Sequence, residues 1–137
     1  MNPAPMPHVT ALYAGLVGVL LLVLAALVSR LRRSRKIGLG DGGDRELQRA
    51  IRVHGNAVEW AIPALLLLLV AELNRAAPVF LHACGLAILV GRILHAMGLS
   101  RSAGLSFGRF AGSGLSWAAL LVLALWCTWA FARTLLR

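Results

Sequence analysis

Five polar residues sit where an otherwise apolar chain begins to run greasy: Arg52, Asn56 and Glu59 in RAIRVHGNAVEWAIP, and Arg92 and His95 in LVGRILHAMGL. On a helix, residues three, four or seven apart share a face. Arg52, Asn56 and Glu59 therefore point one way, and Arg92 and His95 share a face of a later helix. Guanidinium groups bind carboxylates, a carboxylate binds an ammonium group, and an amide does either. Such a set suits a zwitterionic ligand, and it equally suits another helix or another subunit. Arg52 and Glu59 stand about 10 Å apart along the axis, too far for ordinary rotamers, so each is expected to find its partner elsewhere. A purely structural alternative stays open from spacing: Glu59 with Arg92 as a buried ion pair, and Asn56 in an interhelical hydrogen bond.

The elements that hold these residues are set by composition. With 59% apolar and 14% charged residues and a mean hydropathy of +0.78, the chain lies well outside the soluble range of about 45–50% apolar. An integral membrane protein follows. A helix needs about 20 mostly apolar residues to cross a hydrocarbon core, and 137 residues offer four such runs and no room for a separate soluble domain. One four-helix membrane domain over 1–137 is expected, all-α, with helices over 9–33, 44–74, 79–99 and 110–134.

The first run carries no charge before Arg30 and lacks the basic start and small-residue cleavage site of a signal peptide, so it reads as a retained helix. GLGDGGD, residues 38–44, supplies turn conformations, and Asp44 can cap the second helix with Glu46 in its first turn. Pro63 lies inside that helix and is expected to kink it. The serine- and glycine-rich stretch from Ser100 to Gly114 reads as a loop, which delays the fourth helix to Phe110.

Fourteen basic residues give a formal charge of +9. Eleven fall in or beside the first and third loops, and only Arg75, Arg133 and Arg137 on the other side. The positive-inside rule then places both termini on the non-cytoplasmic side. The charge is a topology signal and an attraction for anionic lipid or ligand; without aromatic interleaving, nucleic acid is not an expected partner.

Cys84 and Cys127 read as small buried apolar residues, His8 and His82 as packing or interface residues, and no metal-ligand spacing is present. A small multidrug-type transporter has the right size. It calls for a carboxylate in the first helix and balanced topology, and neither is found.

RVHGNAVEWAIP resembles the signature of the MAPEG family (membrane-associated proteins in eicosanoid and glutathione metabolism), with Arg, three residues, Asn, two residues, Glu on the second helix. GDGGDRELQRAIRVHGN and LVGRILHAMGLSRSAG are similar to bacterial members, so the resemblance covers nearly the whole chain. It implies a homotrimer in the bacterial inner membrane, surrounded by lipid, with glutathione as cosubstrate bound between subunits near the cytoplasmic side. Arg30, Arg52, Asn56, Glu59, Arg92 and His95 are the implied glutathione-binding residues. Leu99 stands where eukaryotic glutathione-using members have tyrosine, and Arg109 lies where such members carry the arginine that activates the thiol. The implied activity is a glutathione transferase or peroxidase acting on a lipophilic electrophile. The alternative is a non-catalytic protein of the same fold that binds a lipid or small anion, or serves a structural role.

Overall fold

The computed structural model describes residues 6–101 and 104–136; Arg137, one of the three arginines assigned to the sparsely charged side, lies outside them. Four helices, α1 (His8–Arg35), α2 (Arg45–Leu73), α3 (Pro78–Arg101) and α4 (Phe107–Leu135), account for the regular structure among the described residues. All four are long and apolar enough to cross a membrane. The protein is an all-α membrane protein, and its short connections make an up-and-down bundle. α2 and α3 form the centre; α1 and α4 each pack on both, and among the described residues their backbones do not approach one another.

Turn chemistry explains the ends. Ile37 donates its amide to the Arg32 carbonyl at 3.0 Å as Lys36 turns left-handed and closes α1. Asp44 caps α2 as expected, its Oδ1 accepting from the amides of Glu46 and Leu47 at 2.9 Å each. Arg35 reaches back to Asp44 at 3.1 Å and Glu46 at 2.8 Å. The Leu47 amide above all, with Arg35 and the Glu46 amide, holds the Asp44 carboxyl below its usual range against the opposing effect of desolvation.

At the other end, α2 stops in a tight turn in which Ala76 donates to the Ala71 carbonyl at 3.0 Å. Arg75 takes the left-handed conformation there, φ 61°, at a position that glycine usually fills. A side chain in that region costs about 1 kcal/mol or more. The neighbouring Glu72 is buried, and its two carboxylate oxygens accept from the amides of Val9 and Thr10 at 2.8 and 2.7 Å. The last turn of α2 thus caps the first turn of α1, where unpaired amides and the positive end of the helix dipole favour an anion.

α4 begins at Phe107, earlier than the expected Phe110, with the Ser106 hydroxyl accepting from the Arg109 amide at 3.3 Å. Two of the glycines that suggested a loop, Gly108 and Gly112, are packing residues against α3. A Cβ on Gly112 would stand 2.5 Å from both the Gly91 carbonyl oxygen and the His95 amide nitrogen, and one on Gly98 would stand 2.6 Å from the Arg109 amide nitrogen. Gly108, Gly112 and Ser116 recur every fourth residue along α4, the small-residue spacing that lets membrane helices approach closely. Beyond this contact the core is aliphatic, with Val17, Leu68, Ile88 and Leu123 fully enclosed. Tyr13 ties α1 to α3 by donating its hydroxyl to the His82 carbonyl at 3.1 Å.

Candidate functional site

Arg92 is the centre of the polar structure. It is 1% exposed, beside the close contact of Gly91 with Gly112 between α3 and α4. Its Nε donates to Ser116 Oγ at 2.9 Å, Nη1 to Asn56 Oδ1 at 2.9 Å, and Nη2 to the Gly112 carbonyl at 3.2 Å. The Ser116 hydroxyl in turn donates a hydrogen bond to the same Gly112 carbonyl at 3.0 Å. A guanidinium in this position clamps α2, α3 and α4 together through neutral acceptors, with no carboxylate at salt-bridge distance among the described residues. The buried Glu59–Arg92 pair weighed from spacing is not formed. Arg92 instead fixes the amide of Asn56, whose Oδ1 is engaged and whose NH2 remains a donor.

Arg52 and Glu59 correct a second expectation. They approach directly, Nη1 to Oε1 at 3.9 Å, with side chains 64% and 56% exposed. Two helical turns separate them, yet Cα–Cβ bonds tilt toward the helix N-terminus, which carries Glu59 toward Arg52 and leaves the long arginine stem to close the rest. Glu59 lies about 21 Å into α2, on an outer stripe that continues into the exposed apolar residues Ile62 and Leu66. Half of this stripe is charged and half is greasy. Toward the loop, Arg52 lines a groove of about 460 Å³ with Arg45, Gln48, Arg49 and Leu99, and Arg49 is pinned there by donating to the Ser100 carbonyl at 3.3 Å.

His95, 7% exposed, borders a different space. A cavity of about 760 Å³ between the end of α3 and the start of α4 is lined by His95, Arg109, Ser113, Phe107, Phe110 and Trp117. Its walls are mainly apolar, and Phe107 and Phe110 are largely exposed at its rim. Arg109 donates to the Gly104 carbonyl at 2.5 Å and is the cation that lines this cavity with the histidine. Arg30 sits apart, on the outer side of α1, in a shallow space with Ser29 and Arg33.

Within one chain the candidate residues thus fall into an Asn56–Arg92 clamp, an Arg52–Glu59 face, a His95–Arg109 cavity and a distant Arg30. Sequence reasoning passed over Ser116 and Gly112, although the glycine–serine spacing on α4 was a readable signal, and over Glu72, whose carboxylate late in an apolar helix was another.

Comparison with known proteins places this arrangement. Residues 10–129 match the MAPEG family, and the chain belongs to it. It is similar to the inner membrane protein YecN of Escherichia coli K12, 42% identical over 121 residues that cover 88% of this chain and 91% of the relative. The YecN protein of Escherichia coli O6:H1 matches to the same extent. The name of these relatives states a location and no activity.

Proposed function

We propose that this MAPEG-family protein binds glutathione against the outer face of α2 and uses it as a transferase or peroxidase on a lipophilic electrophile. The observation that carries this reading is the Arg52–Glu59 pair: opposite charges 3.9 Å apart, more than half exposed in one chain, on a helix that crosses the membrane. Charges in a span are covered by protein or by a polar ligand. A homotrimer that sets α2 against a neighbouring copy supplies the cover, and Arg30 on the outer side of α1 is available to complete the site from that neighbour. Both termini then lie on the non-cytoplasmic side, in keeping with the arginine-rich first and third loops.

The fit is chemical. Arg52 takes a carboxylate of glutathione, Glu59 its ammonium, and the Asn56 amide, oriented by Arg92, donates to the peptide backbone. From that face the cysteine of the tripeptide must extend to the separate α3–α4 cavity, where Arg109 is the lining cation and stabilises the thiolate. An electrophile entering from lipid past Phe107 and Phe110 meets that thiolate. The sulfur forms the new bond as the leaving group departs with its electron pair, and the thiol proton goes to solvent. Leu99 in the Arg52 groove favours the second reading, a non-catalytic protein of the same fold, because it offers a thiol-bearing peptide no hydrogen bond.

Calorimetry of glutathione binding to the detergent-solubilised protein tests this, with Arg52→Ala alongside and thiolate absorbance followed in the same sample. Saturable binding lost in the variant and a thiolate signal support the enzyme. No binding at millimolar glutathione by a well-folded oligomer rejects it in favour of the non-catalytic reading.

A further inference from the structure

The positive-inside pattern has three exceptions, and the two that fall among the described residues converge. Arg75, in the turn after α2, and Arg133, near the end of α4, line one cleft of about 340 Å³ with Asn74, Trp126 and Trp129. This is the end of the bundle opposite the arginine-rich loops and the Arg52 groove. The Arg133 guanidinium carbon lies 4.6 Å from the centre of the Trp129 ring, the two indoles are 6.3 Å apart, and Trp126 backs onto Phe80 at 6.2 Å. The side-chain carboxylate of this end, Glu72, is committed to the amides of Val9 and Thr10. No side-chain carboxylate lines the cleft among the described residues, so two cations face it together. Arg75 is also held in a left-handed conformation, φ 61°, where glycine would be at ease, so its side chain is retained at a local cost.

From this convergence we infer that the cleft binds the phosphate of an anionic phospholipid headgroup in the leaflet at that end of the bundle. Arg75 and Arg133 take the phosphate oxygens by charge-assisted hydrogen bonds. Trp126 and Trp129 occupy the level where indoles favour the boundary between headgroup and hydrocarbon, and so receive the glycerol and the first acyl carbons. Arg133 stays over the Trp129 ring, which orients its planar fork. The inference stands apart from the glutathione reading, since it uses the opposite end of the molecule and none of the same residues.

The test is a phosphatidylglycerol titration of the full detergent-solubilised chain carrying Trp60→Phe and Trp117→Phe, so that only Trp126 and Trp129 emit. A saturable emission change is expected, with a midpoint weakened about tenfold by Arg133→Gln and by Arg75→Gly and unmoved by Arg32→Gln with Arg33→Gln at the far end. Arg75→Gly keeps the variant arm secure, because glycine suits the turn. Diacylglycerol with the same chains should give no saturable change, and soluble glycerol phosphate should bind far more weakly than the lipid. Equal weakening by the far-end variant, equal binding of diacylglycerol, or no saturable change with phosphatidylglycerol overturns the inference. Glycerol phosphate binding as tightly as the lipid also overturns it and makes the cleft a soluble-anion site.

Discussion

The guanidinium of Arg92 and the amide oxygen of Asn56 meet at 2.9 Å inside the bundle, and that contact joins the central helix pair to α4 through Ser116 and Gly112. Arg92→Leu should lower stability in detergent by about 2 kcal/mol or more, since its bonds to Asn56, Ser116 and Gly112 go and the Ser116 and Gly112 acceptors stay buried. Arg92→Lys should recover little, because an ammonium group cannot reach three acceptors spread over two helices in the guanidinium's fork. Thermal melting of both variants checks this, and a lysine variant as stable as wild type would mean that charge rather than geometry matters.

The α3–α4 contact gives a paired prediction. Gly112→Ala places a Cβ against the Gly91 carbonyl and the His95 amide, so the helices must part, at an expected cost of about 1–3 kcal/mol. Gly114→Ala meets nothing within 4 Å and should be neutral or stabilising by up to about 1 kcal/mol through helix propensity. Melting temperatures that fall equally in both would argue against close helix approach as the role of Gly112.

Glu72 anchors the first turn of α1 from the last turn of α2. Glu72→Gln keeps the shape and removes the charge, so one of the paired amides loses its strong acceptor and the dipole its counterion. Faster hydrogen exchange at Val9 and Thr10 is expected, with the far ends of α2 and α3 unchanged. Uniformly faster exchange would instead indicate a global effect.

Asp44 sets an acid-dependent term. Its carboxyl titrates below the ordinary 3.8 in the folded protein, so the stabilisation is present above that value and is lost as pH falls through the lower, folded one. Melting followed from pH 5 downward should show this decline in the wild type and a flatter profile in Asp44→Asn, which still caps α2 but no longer titrates or attracts Arg35.

The four spans, the cap at Asp44 and the common face of Arg52 and Glu59 were legible in the sequence, because hydropathy, capping chemistry and the 3.6-residue period are properties of one segment at a time. The partners of those residues were not. That Arg92 binds Ser116 and Asn56 rather than Glu59 depends on how α3 is rotated and set in depth against α2 and α4. Phe107–Arg109 reads as the end of a loop when glycine is weighed by local freedom, and becomes the first turn of α4 when Gly91 and Gly98 are present to pack against Gly112 and Gly108. Arg75 and Arg133, 58 positions apart in the chain, looked like separate exceptions to a charge rule. Only the folding of α4 against the end of α2 makes them neighbours, because polar groups in a membrane bundle are paired by interhelical register, which the period of a single helix does not encode.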